Sequence, residues 1–135
     1  FVKRNLSAQE STNVPIHTLD TFLKELNIDK VKMLKIDVEG WELEVLKGSM
    51  NLLSSGNAPI IAIEYNTSFP FHQEIYKLIT AVNDYQIFML RHANWHVSPL
   101  TAVHNSFDLP SKGSPNLFCF LPHHKGNLPK AIFEG

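Results

Sequence analysis

The chain has 135 residues, with 12 Lys plus Arg against 13 Asp plus Glu, and 44% of its residues are hydrophobic. That describes one globular domain with one core, long enough to bury roughly 68–70% of its unfolded surface without a disulfide or a structural metal. A formal net charge of -1 without a Lys/Arg-rich run argues against nucleic acid, the single Cys119 excludes a disulfide framework, and no apolar run approaches the ~18 residues of a membrane span.

Residues 1–13 are polar and aperiodic and read as an arm or the end of a preceding loop. With neither an initiator Met nor the apolar core of a signal peptide, the chain reads as an excised piece of a soluble, cytoplasmic protein, and one free Cys fits a reducing compartment. Leu19, Phe22, Leu23 and Leu26 then recur at helical spacing behind Thr18 as N-cap, with Asp20 in the first turn, which predicts a helix over 18–27. Val31 to Asp37 predicts a strand ending on a carboxylate. Trp41, Val45, Leu46, Leu52 and Leu53 predict a second helix over about 39–54, with Glu42, Glu44 and Lys47 on its solvated side.

Pro59 to Tyr65 is a continuous apolar run, the mark of a central strand covered on both faces. Ile75, Leu78, Ile79 and Val82 predict a third helix after Pro70, and Tyr85 to Leu90 another strand. Residues 91–115 are poorly patterned apart from a short strand expected at Trp95 to Leu100. Leu117 to Leu121 reads as a last buried strand, with Cys119 as packing rather than a nucleophile, and the residues from Pro122 onward as a loosely attached tail that holds His123 and His124. The alternation predicts the α/β class, with right-handed βαβ units and helices on both faces of the sheet.

Ligands of open α/β sheets bind beyond the carboxyl ends of the strands. Two such ends stand out: Lys35-Ile36-Asp37-Val38-Glu39-Gly40-Trp41-Glu42, with its carboxylates and its turn glycine, and Glu64-Tyr65-Asn66. If the two strands are neighbours, Asp37, Glu64 and Asn66 converge on one acidic mouth. The alternative is that Asp37 or Glu39 only caps a helix and that Glu64 and Asn66 face water. Trp41 either lines the mouth or fills the space between sheet and helix.

Residue identities sharpen this reading. Val14 to Leu23 with its Thr18-Leu19-Asp20 opening, Val31 to Gly48 with its Lys35-Ile36-Asp37-Val38-Glu39-Gly40 centre, and Ile60 to Glu64 resemble the C-terminal half of the FkbM-type methyltransferases over roughly residues 14–66. The resemblance implies a Rossmann-like class I methyltransferase fold, of which this chain carries strands four to seven. It also implies S-adenosylmethionine as cofactor and O-methylation of a hydroxyl on a sugar, polyketide or similar small-molecule acceptor. Residues 14–122 are then the C-terminal part of the domain and 123–135 a tail. The family's glycine-rich cofactor loop and ribose-binding acidic residue have no counterpart here; three preceding strands with their helices would need on the order of 90 residues at ~30 per unit.

On this reading Asp37, Glu39 and His92 are the catalytic candidates, and Asp37, Val38, Glu39 and Gly40 contact the cofactor. Trp41, Glu64, Asn66 and His96 face the acceptor. Asp37 positions or deprotonates the hydroxyl; alternatively it joins Glu64 and Asn66 around a divalent ion, a likeness of position to catechol O-methyltransferase, although no metal ligand is assigned. The class I strand order puts the fourth strand beside the first, so the strand at 31–37 should be a sheet edge open to self-association or a homodimer. Two further readings stand beside this one: a non-catalytic remnant used for binding or dimerisation, and an unrelated metal-dependent hydrolase or phosphotransferase built on Asp37 and Glu39.

Overall fold

The computed structural model describes residues 13–90 and 99–133. Helix α1 (Leu19–Glu25) opens the described chain, with the Thr18 side chain accepting from the Thr21 N–H as its cap, and strand β1 (Met33–Ile36) follows. Two short helices come next, α2 (Glu42–Lys47) and α3 (Met50–Ser54), then β2 (Ile60–Glu64), α4 (His72–Val82) and β3 (Gln86–Leu90). Strand β4 (Leu100–Val103), a 3₁₀ turn at Ser106–Asp108, β5 (Asn116–Phe120) and α5 (Pro122–Lys125) complete the order, with a last 3₁₀ turn at Lys130–Ile132.

The five strands form one mixed sheet in the order β1-β2-β5-β3-β4. β1 and β2 are parallel, β5 runs antiparallel to both β2 and β3, and β4 is antiparallel to β3. β1 is therefore the edge that the sequence reading placed there, and β2 lies inside the sheet. The fold is a mixed α/β sheet of the Rossmann-like kind.

Register explains the core. Leu34, Ile61, Cys119, Ile87 and Val103 pair across the sheet in one row, and Ile36, Ile63, Leu117 and Met89 in the next. Both rows share one face, since they lie two residues apart on every strand. That face packs against Leu43, Leu46, Leu53, Ile75 and Ile79 from α2, α3 and α4 in the larger core. On the opposite face Phe88, Leu100 and Phe120 form a smaller core with Leu128, Ile132 and Phe133. Residues 123–133 are consequently not the loose tail that their composition suggests. The Phe133 ring sits 4.9 Å from Phe88 and 5.4 Å from Phe120, and Phe133 bridges to Leu100.

Two other expectations need correction. The helix expected over 39–54 is broken at Gly48-Ser49 because its main chain is recruited elsewhere. The Gly48 carbonyl accepts the Asp20 N–H at 3.0 Å, Ser49 Oγ donates to the Val45 carbonyl at 2.6 Å, and the Asp20 carboxylate takes the N–H groups of Asn51 and Leu52 at 2.8 and 3.0 Å. The strand expected at Trp95 to Leu100 lies at Leu100–Val103, with residues 95–98 outside the described residues. Among the described residues no helix is long and apolar enough to cross a membrane.

Candidate active site

β1 delivers Asp37 at its carboxyl end, where Lys35 Nζ reaches Asp37 Oδ2 at 2.6 Å. The two side chains meet because they sit two residues apart on one side of the strand. The chain then reverses through Glu39 at φ 50° and Gly40 at φ 99°. A side chain in this left-handed region costs about 1–2 kcal/mol, so Glu39 is a strained residue beside the candidate site. Gly40 has a second reason to lack a side chain, since a Cβ there would stand 2.8 Å from Phe69 Cζ.

Glu42 overturns an expectation. The amphipathic pattern put it on a solvated face, yet it is 1% exposed. Its Oε1 accepts from the Val38 N–H at 3.2 Å, and the Gly40 N–H points at both carboxylate oxygens, 3.2 and 3.0 Å away. Glu44 does sit in solvent, paired with Lys47 at 2.8 Å. Trp41 is 68% exposed, which excludes the core reading of that residue and leaves it on the rim of the turn. With both amides engaged by Glu42, the turn presents to a ligand the carboxylates of Asp37 and Glu39, the exposed Val38 side chain and the Trp41 ring.

The adjacent mouth comes from the carboxyl end of β2. Tyr65 N–H donates to the Pro115 carbonyl at 2.8 Å, and the Thr67 N–H and Oγ1 both donate to the Gly113 carbonyl, which ties this loop to the approach to β5. Asn66 Oδ1 accepts from the Ser68 N–H at 2.9 Å and so shapes the loop. Burial pushes the Tyr65 phenol above its ordinary pKa. Because β1 and β2 are parallel neighbours, one carboxylate oxygen each of Asp37, Glu39 and Glu64 lies within 4.8 Å of the others. Such a set of oxygens suits a hard divalent cation or a cationic organic group.

His92 and His96 lie outside the described residues. His123 and His124 line a different feature, a cleft of about 530 Å³ with Lys30, Lys32, Asn57 and Asn127 at the opposite, amino-terminal ends of β1 and β2. Cys119 is fully buried in the larger core, and burial pushes its thiol well above the usual range, as expected of a packing residue. Sequence reasoning missed Glu42 and Phe69. The one available signal for Glu42 was its place directly after a glycine turn, close enough in sequence to fold back on it.

A model of the methyltransferase FkbM domain family matches residues 4–87, a stretch that contains both strand ends of the mouth. No curated protein and no solved structure gives a significant match.

Proposed function

Because the chain belongs to the methyltransferase FkbM domain family, we propose that it serves S-adenosylmethionine-dependent O-methylation of a hydroxyl on a sugar, polyketide or similar small molecule in the cytoplasm. The observation that carries this reading is the coincidence of the family match with the mouth where Asp37, Glu39 and Glu64 meet.

The residues present fit part of such a cofactor. S-adenosylmethionine carries sulfonium and ammonium cations, and the turn offers two exposed carboxylates with the exposed Val38 and Trp41 beside them. On this reading Asp37, Val38, Glu39 and Gly40 form the cofactor side, and the bound group supplies an electrophilic methyl. Trp41, Glu64 and Asn66 face the acceptor; His96 as a further acceptor-binding candidate and His92 as a further catalytic candidate lie outside the described residues. Asp37 takes the hydroxyl proton. Its Oδ2 is held by Lys35, and among the described residues Oδ1 has no partner, so Oδ1 is the atom that orients and receives it. The test is calorimetry of the full-length protein with S-adenosylhomocysteine, followed by methyl transfer to a panel of hydroxylated acceptors. Binding and transfer support the reading, and absence of binding overturns it.

A second reading, a methyltransferase-like module used for binding or dimerisation, is favoured by the β1 flank. Met33 is 52% exposed on the edge of the described sheet, and Phe22 of α1 with Leu26 and Ile28 after it are 48%, 53% and 42% exposed. An apolar edge with unpaired main-chain groups is a template for pairing. Sedimentation velocity of residues 1–135 across a dilution series separates the cases: concentration-dependent association supports an interface, and a monomer at high concentration removes it.

A further inference from the structure

The Asp37–Trp41 turn is assembled against opposing forces. Three carboxylates crowd the mouth, Glu39 sits in the left-handed region, and β1 has a hydrogen-bonded neighbour on only one side among the described strands. Lys35 offsets part of the charge at Asp37, and one further side chain holds the main chain of the turn. The buried Glu42 carboxylate holds the N–H groups of Val38 and Gly40, which flank Glu39, and Val38 directly follows Asp37. One side chain thus accepts the N–H groups on both sides of Glu39, one of them directly after Asp37.

This is not ordinary helix capping. A capping-box glutamate sits at the third helical position and reaches back only to the N-cap N–H, whereas Glu42, the first residue of α2, reaches past the N-cap Trp41 to the N–H groups of Gly40 and Val38. Nor is a buried carboxylate an economical way to stabilise a fold, since an apolar side chain of similar volume commonly does as well or better. Its distinctive capacity is to select one backbone conformation, because a buried carboxylate must keep its hydrogen-bond donors.

We infer that Glu42 is a positioning residue for methyl transfer, fixing the turn so that Asp37 and Glu39 meet Glu64. The inference rests on the proposed methyltransferase reading and deepens it. In Glu42→Gln the shape is kept, and the amide oxygen at the Oε1 place can still accept from Val38, but the NH₂ at the Oε2 place faces the Gly40 N–H and removes its shorter bond. In Glu42→Asp both carboxyl oxygens are kept, but the reach is one methylene short.

Both variants are to be made in the full-length protein, and both readouts apply to each, so that either suffices should the other fail to fold. Amide hydrogen exchange is expected to accelerate at least about tenfold at Gly40 in both variants and also at Val38 in Glu42→Asp, while Ile61 and Ile63 of β2 keep their protection. At saturating S-adenosylmethionine, acceptor-dependent formation of S-adenosylhomocysteine is expected to lose about 100-fold in kcat, the cost of a misplacement near 1 Å, with KM for the acceptor within about threefold of wild type, while S-adenosylhomocysteine affinity falls with the turn that forms the cofactor side. Wild-type kcat in a folded variant overturns the inference, as does exchange that accelerates equally in β2, which marks a general loosening. If the wild-type protein forms no S-adenosylhomocysteine, the methyltransferase reading fails separately. The exchange contrast then decides alone whether Glu42 sets the turn.

Discussion

Asp20→Ala tests the most distant link in the fold. α3 begins at Met50, but its own N-cap residue, Ser49, makes no side-chain capping bond. The capping comes from Asp20, 31 and 32 residues earlier, whose carboxylate accepts from Asn51 at 2.8 Å and Leu52 at 3.0 Å. Charge-assisted bonds of this kind contribute about 1.5–3 kcal/mol each when desolvated, and removal of an N-cap costs about 0.5–2 kcal/mol. Asp20 is half-buried and Asn51 is exposed, so solvent screening sets the pair near the lower end, about 2 kcal/mol in total. The favourable placement of Asp20 in the first turn of α1 supplies at most about 1 kcal/mol, so the full loss requires the contact with α3. Urea unfolding reads this as a lower midpoint at unchanged slope, and thermal melting as a fall of about 8 °C at roughly 4 °C per kcal/mol. Asp20→Asn, which keeps one acceptor oxygen, is expected to lose about half as much as the alanine variant. A loss below about 0.5 kcal/mol in Asp20→Ala would refute the reasoning and mean that α3 does not depend on this cap.

Gly40→Ala forces φ 99° on a residue with a Cβ and drives that atom to 2.8 Å from Phe69 Cζ, whereas a Cβ at Gly56 meets nothing within 4 Å. Urea midpoints should place the first substitution about 1–3 kcal/mol down and the second within about 0.5 kcal/mol of wild type. Burial, aided by the neighbouring His123, holds His124 below the ordinary histidine value of 6.5 against the opposing bond to the Ala58 main chain. Because the folded state binds this proton less tightly than the unfolded chain, the contribution is full above about pH 6.5 and is lost as pH falls through the folded value. Stability should therefore decline as pH falls below the ordinary histidine value of 6.5, and His124→Gln should flatten that decline.

β2, β3 and β5 were legible because each buries consecutive or alternating apolar residues that no other element could hide, whereas the strand expected at 95–100 lies at Leu100–Val103, where only the two end residues are buried. The meeting of Asp37 and Glu64 was legible from the rule that loops gather at strand carboxyl ends, once β1 and β2 were taken as neighbours. The break between α2 and α3 was not, because periodicity records side chains while the break arises from main-chain bonds to Asp20. Glu42 escaped for a related reason: a helical wheel assumes that a charged side chain points to water, and this one turns back onto the residues before its helix. The packing of residues 122–133 was hidden by the spread of its apolar residues. Leu128, Ile132 and Phe133 reach Phe88 and Phe120 only through two short turns with no helical period to read.

The most direct measurement of the central claim compares wild-type full-length protein with Asp37→Asn in acceptor-dependent formation of S-adenosylhomocysteine, alongside calorimetric binding of that product. The account predicts that wild type binds and turns over, and that Asp37→Asn binds within about threefold of wild type while kcat falls roughly 10²–10⁴-fold. Wild-type turnover in Asp37→Asn would remove Asp37 from the chemistry, and a wild-type protein that binds no S-adenosylhomocysteine would contradict the account.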